Sequence, residues 1–368
     1  MVRDDKDPWE TLRERMSRWP VRTPKTKSIQ QLLRLLYTAE EARLLHAFTQ
    51  PYTDAKTAEE IAVATKHAVD STRRQLDDLA QRGLLMKTHS RTGLVRYHLM
   101  PLLPGLFEAY FAGEIPPESR EEVKKLMKGA YDEGLGMELG PSDYPWSRVL
   151  PIEKTISVNR QVEAAPAILP FEKVSEFIRS SWRIALIRCA CRVKNPCTHP
   201  VETCLCFDNM ATYMIERGAG KEVTVEQALA LLDQFEKAGL MHTTTNAQTK
   251  PQFICNCCAC SCNLLGGLVR LHNPCAFAKS NFVIQRDDAA CTTCGKCVEI
   301  CPFGANQRHG AHDKEPARII TFAEHCVGCG LCAYHCPKKA IRLVKIRAET
   351  PEATPVEAWQ KVEAKRIH

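Results

Sequence analysis

The chain has 368 residues, 44% of them hydrophobic and 25% charged, with a formal net charge of +7; that balance suits two or three domains with real cores and excludes global disorder. No apolar run approaches the roughly 18 residues of a membrane span, and the opening MVRDDKDPWE lacks a signal peptide's apolar stretch, so a cytoplasmic protein is expected. Nineteen cysteines, none before Cys189, argue against a secreted disulfide scaffold and for metal binding.

Residues 25–112 contain no cysteine. SIQQLLRLLYTAEEARLLHAF carries apolar residues at helical spacing, and TAEEIAVATK and DSTRRQLDDLAQRGLL repeat the pattern in shorter pieces. Thr57 and Glu60 suit a capping box and Gly83 a helix stop. LLMKTHSRTGLVRYHLM then reads as two short strands around a Thr-Gly turn. Helices followed by such a hairpin resemble a winged-helix domain, with residues 69–82 in the place of the recognition helix. That resemblance makes Arg73 and Arg74 on the helix, and Arg91 and Arg96 on the wing, the candidates for nucleic-acid contact. Residues 57–100 hold seven Lys or Arg against five acids, a balance of only +2. Strong DNA binders carry a clearer basic footprint, so docking of protein is the favoured use.

Residues 113–170, with GEIPPESR and GLGMELGPSDYPW, read as an irregular connecting arm around one helical piece. From 171 to 280 strand-like and helical stretches alternate: RIALIR leads into CACR, VTVEQALALLDQFEKAGL is a capped amphipathic helix, and NLLGGLVRL is another helix. Residues 281–346 hold a repeat, and 347–368 form a C-terminal tail. The expected fold class is therefore α+β and multidomain: a winged-helix-like N-terminal domain, a cysteine-rich α/β middle domain and a C-terminal domain built on the repeat.

CTTCGKCVEICP begins at Cys291 and CVGCGLCAYHCP at Cys326. Each is C-x2-C-x2-C-x3-C-P, and every cysteine of the second copy follows its counterpart by 35 positions. Zinc sites use C-x2-C pairs, but not with a third cysteine and a closing Cys-Pro. The repeat resembles bacterial-type ferredoxins with two [4Fe-4S] clusters. That resemblance implies crossed ligation, with Cys291, Cys294, Cys297 and Cys336 on one cluster and Cys326, Cys329, Cys332 and Cys301 on the other. It also makes NFVIQR and AIRLVK the strands that seal the fold. Gly295, Gly328 and Gly330 permit the tight turns between ligands. Two such clusters, each net 2− with its thiolates, bring the chain's +7 to +3, so net charge says little about partners.

Eleven cysteines remain, in two groups: CACRVKNPCTHPVETCLC, and ICNCCACSC with five cysteines in nine positions, followed by Cys275. Cys189, Cys191, Cys197, Cys204, Cys255, Cys257, Cys258, Cys260 and Cys262 are the candidates for a middle metal site. Both groups follow strand-like segments and precede helices, whose N-termini favour thiolates. In an extended chain Cys258, Cys260 and Cys262 share one face and Cys255 and Cys257 the other; in a helix Cys255, Cys258 and Cys262 align. Either way the five serve at least two directions. One or two further [4Fe-4S] clusters are expected, with zinc the main rival for a middle site. Cysteines being in surplus, His199, His242 and His272 are read as surface or packing residues.

With CACR, PVETCL, GLMHTTTNAQ, ICNCC and the repeat together, residues 25–345 resemble a family of 4Fe-4S dicluster-domain proteins of anaerobic bacteria. The family carries a further cysteine where this chain has Ser261 and lacks Cys206 and Cys275. Taken together, these features predict an electron-transfer protein moving single electrons between partner redox proteins, within a larger oxidoreductase system and without catalysis of its own. The alternative is an iron-sulfur redox-sensing regulator that grips DNA through the winged helix.

Overall fold

The computed structural model describes residues 7–90, 92–156, 168–310 and 317–366. Its first four helices begin where side chains cap them. After α1 (Pro8–Met16) and α2 (Lys27–Leu36), the expected long helix breaks at Tyr37. Thr38 there starts α3 (Ala39–Leu44) with a capping box to Glu41, and Thr57 starts α4 (Ala58–Thr65) with the same device to Glu60. α5 (Val69–Gln81) buries Thr72, Leu76, Leu79 and Ala80 on one face. Gly83 then turns the chain at φ +81°, and a Cβ there would stand 2.5 Å from the Arg217 guanidinium. The hairpin follows as β1 (Met86–His89) and β2 (Val95–His98), paired in antiparallel fashion. α6 (Phe107–Ala112) and α7 (Pro117–Ala130) complete this half.

The stretch expected to be an irregular arm holds more order than its glycines and prolines suggest. β3 (Ser147–Leu150) is an edge strand of the central sheet, its four side chains all buried. α8 (Val174–Ser180), β4 (Ile184–Arg188), α9 (Ala190–Lys194), β5 (Glu202–Phe207), α10 (Asp208–Glu216), β6 (Gly220–Glu222), α11 (Val225–Lys237), β7 (Met241–Thr245), β8 (Phe253–Cys257) and α12 (Asn263–Val269) follow. The six strands form one antiparallel sheet in the order β3-β7-β8-β5-β4-β6.

One face of this sheet shares a core with the N-terminal helices: Phe107, Phe111, Met210 and Met214 pack with Ile187, Cys189, Cys204 and Cys206. The other face, led by Leu205, Ile254 and Phe207, is covered by Phe177, Leu232 and Phe235 of α8 and α11. Alternation along β5 and β8 therefore sends Cys204 and Cys255 to one side and Leu205 and Ile254 to the other.

The repeat region contains β9 (Phe282–Arg286), α13 (Lys296–Glu299), β10 (Asn306–His309), β11 (Arg318–Thr321), α14 (Leu331–Tyr334) and β12 (Ile341–Lys345). β9 and β12, the strands expected at NFVIQR and AIRLVK, pair in antiparallel register from Phe282↔Lys345 to Arg286↔Ile341. The final residues are not a loose tail. Thr354 caps α15 (Pro355–Ala364), whose Trp359 stacks on Trp19 at 5.6 Å, while Arg366 donates to the Pro20 carbonyl. Among the described residues no helix is long and apolar enough to cross a membrane.

Candidate metal centres

Each copy of the repeat folds its first three cysteines around the start of a one-turn helix. Gly295 and Gly330, at φ +84° and +85°, are the caps of α13 and α14 and reverse the chain between ligands. Cys291, Cys294 and Cys297 line one pocket together with Cys336 from the second copy, beside Ile319, Pro337, Ala340 and Ile341. Cys332 feels first Cys329, then Cys301, the last cysteine of the first copy, then Cys326, and after them Cys297 of the neighbouring pocket. The fourth cysteine of each copy thus lies with the first three of the other. Burial raises the thiols of Cys297 and Cys332 and pushes Cys329 up to about 12, so these thiols ionise at neutral pH only against a compensating cation. Four sulfurs, a largely apolar wall, and Lys296 and Lys338 at the pocket rim suit an iron-sulfur cluster of net negative charge.

The middle cysteines separate into two groups that chain order does not reveal. β5 and β8 pair through Leu205↔Ile254, and one step along that register Cys204 faces Cys255. Cys262 donates to Cys257 at 3.5 Å. Cys189, Cys191, Cys204 and Cys255 stand close enough to these two for each of the six thiols to shift the ionisation of two others, in a ring. Cys189 precedes α9 and Cys262 caps α12, accepting from the Leu265 N–H at 3.4 Å. Hydrogen bonds from Cys191 and Cys204 hold the Cys189 thiol well below its ordinary range, while its neighbours are raised by those same bonds and by burial. A ring of mutually repelling buried sulfurs is a site that a cation stabilises.

The second group faces the opposite way. After Cys257 the chain leaves the strand, and a turn closed by the Cys262 N–H donating to the Cys258 carbonyl directs Cys258 and Cys260 away from the ring. There they meet Cys197 and His199. The Cys197 sulfur lies 3.5 Å from His199 Nδ1 and 3.8 Å from the Cys258 sulfur. Cys260 lies 3.5 Å from His199 Nδ1 and 3.1 Å from Cys258. The reading of His199 as a packing residue is therefore corrected: its ring belongs to a group of four metal-type donors, all within 4.8 Å of one another. Its sequence signal was the C-x-H spacing from Cys197, masked by the surplus of cysteines nearby.

Between the two groups lies Arg192, the last residue of CACR, 1% exposed. Its guanidinium donates to Thr203 Oγ1 and, at 2.7 Å, to the Asn256 carbonyl, and stands against Cys258 with Cys189 and Cys204 nearby. Those sulfurs raise its pKa, although desolvation alone would lower it. The sequence reading gave this arginine no role; a buried charge whose hydrogen bonds go to a hydroxyl and a carbonyl, with sulfurs close by, marks an anionic neighbourhood.

The remaining candidates fall elsewhere. Cys206 is buried beneath β4, its thiol donating to the Ala185 carbonyl at 3.6 Å, and Cys275 sits in a short turn after α12. His242 is a core residue between Asn256 (2.6 Å) and Glu236 (3.4 Å), and His272 is exposed. In the N-terminal region Arg73 is paired with Glu59, Arg96 donates to the Ala55 carbonyl, and Arg74 is exposed on α5. Arg91 lies outside the described residues.

Residues 283–346 match the family described as a 4Fe-4S dicluster domain. The chain is also similar to the pyruvate synthase subunit PorD of Methanothermobacter marburgensis, 39% identical over 57 residues that cover 16% of this chain and 59% of that protein. It also aligns with the archaeal-type glutamate synthase [NADPH] of Thermotoga maritima, 36% identical over 78 residues, 21% of this chain and 14% of that one. NADH-quinone oxidoreductase subunit I of Pelobacter propionicus is 29% identical over 76 residues, 19% of this chain and 41% of that subunit. The chain thus spans less than two thirds of each of these relatives. No solved structure matches it. The dicluster match supports iron-sulfur clusters in residues 283–346.

Proposed function

We propose that the chain carries single electrons between partner redox proteins through three iron-sulfur clusters. Cys291, Cys294, Cys297 and Cys336 hold the first, Cys301, Cys326, Cys329 and Cys332 the second, and four of the six ring cysteines the third. The observation that carries this is the crossing of the two repeat copies, which gathers Cys336 with Cys291, Cys294 and Cys297 in one apolar pocket. When bound, such clusters each take up and release one electron at a potential set by burial and hydrogen bonding.

The chain's residues supply spacing and shelter. A single apolar cluster joins Cys257 and Cys262 of the ring to Val327 and Leu331 beside the second ligand set, with Cys329 packed against it. That contact excludes water between two neighbouring groups of ligands. The exposed Cys294 and the basic rim at Lys296 and Lys338 offer an entrance where an acidic face of a partner docks. Relatives named as a subunit of an NADH-quinone oxidoreductase and a subunit of a pyruvate synthase support a protein as that partner. Arg73 and Arg96 are engaged within the fold, which favours protein docking over DNA binding for the N-terminal region.

Iron and sulfide analysis of the anaerobically prepared chain, with a dithionite titration followed by electron paramagnetic resonance, tests the reading. About twelve irons per chain and three reducible centres are expected. About eight irons would remove the third cluster and leave the other two.

A further inference from the structure

We propose that Cys197, His199, Cys258 and Cys260 bind one zinc ion, separate from the six-cysteine ring and with a structural role. Four donors on one ion at about 2.3 Å for sulfur and 2.0–2.1 Å for nitrogen stand at the corners of a tetrahedron with edges of about 3.5–3.8 Å. Three of the separations, 3.5, 3.8 and 3.5 Å, are of that size, and the Cys258–Cys260 pair at 3.1 Å needs to open by some tenths of an ångström to receive the ion. All four donor atoms lie within 4.8 Å of one another, close enough to meet on one ion, and three thiolates with one imidazole are a donor set that suits zinc. Four protein donors leave no open position, which assigns the site to structure.

Charge supports the same reading independently. Zinc with three thiolates is net 1−, and Arg192 stands against Cys258 with its guanidinium buried and its Nε without a partner. Such a centre gives the buried arginine a counter-charge, beside the ring sulfurs Cys189 and Cys204 that also face it. Binding requires three thiol protons to leave for solvent and changes no oxidation state.

The position explains what the ion does. Cys197 and His199 lie on the connection from α9 to β5, and Cys258 and Cys260 on the turn from β8 to α12; Asn195 already bridges the two by donating to the Cys260 carbonyl at 3.1 Å. Ring cysteines flank both segments: Cys191 and Cys204 on one, Cys257 and Cys262 on the other. Zinc staples the two segments and so fixes the ring's geometry from outside, without carrying electrons.

The test uses the full chain, prepared anaerobically, with zinc and iron counted separately. About one zinc per chain is expected, and zinc X-ray absorption should give three sulfurs at about 2.3 Å and one nitrogen at about 2.0–2.1 Å. His199→Ala and Cys260→Ser should each lower zinc at least tenfold after brief chelation while the iron of the dicluster region is retained. Iron at this site in place of zinc, a four-sulfur zinc environment, or undiminished zinc in both variants would overturn the proposal. The spectrum of the unaltered chain decides the question even if a variant fails to fold. The outcome is independent of the electron-transfer reading, whose failure would show in the iron count instead.

Discussion

The two cysteine-rich regions gather their donors by different means. Between 281 and 346 each proposed ligand set takes three cysteines from one seven-residue stretch and one from the other copy, so local turns at Gly295 and Gly330 do most of the positioning. Between 189 and 262 the ring draws on the end of β4, on α9, on β5, on β8 and on the cap of α12, and only the β5–β8 register brings Cys204 opposite Cys255. A slip of one residue in that pairing would turn Cys255 and Cys257 to the far face. The first kind of site depends on turns; the second depends on a whole sheet. Metal in the second should be bound up with the folding of its domain.

That contrast can be broken by substitution. Cys336→Ser should lose about four irons per chain and leave the ring's iron in place; loss of all iron would mean that the two regions are not separate. Cys255→Ser should remove a similar amount from the ring, whereas Cys206→Ser, on the same strand face but bonded to the Ala185 carbonyl, should remove none. Equal iron in all three variants would dissolve the distinction.

Smaller effects sharpen it. Arg192→Met leaves the sulfurs of the middle region without their buried cation and should destabilise the metal-loaded chain by about 3 kcal/mol in urea unfolding. An unchanged midpoint would show that the sulfurs find their counter-charge elsewhere. Smallest is a surface effect at the seam between the regions, where Asp233 accepts from Lys154, Lys237 and Tyr334. Lys154 first, then Lys237, hold its carboxyl well below the usual range. A depressed folded value means that its contribution is present above the unfolded value, near 3.8, and is lost as pH falls through the folded one. Asp233→Asn should therefore flatten a slight loss of thermal stability below about pH 4, read from melting temperature against pH.

Much of the fold was legible because short-range rules acted alone. Thr57 with Glu60, Gly83, and the hairpin around the Thr-Gly turn needed only capping and turn chemistry. The order within residues 113–170 and 347–368 was not legible, for the opposite reason. β3 exists because β7 is beside it, and α15 because Trp19 and Pro20 receive it, partners more than 90 and more than 300 residues away. Local composition has no record of either.

By itself the sequence determined that the second half of the chain is built for metal, that the repeat at Cys291 and Cys326 is of dicluster type, and that ICNCCACSC must point in at least two directions. These follow from spacing and from the period of the backbone. Tertiary structure alone decided the division: Cys255, Cys257 and Cys262 to the ring, Cys258 and Cys260 to His199. A turn of five residues at the end of β8 makes that choice, and its partners arrive from a connection some 60 residues earlier through the pairing of β5 with β8. The same pairing places Arg192 where its charge has meaning, because burial and a counter-charge are properties of a packed interior and not of a chain.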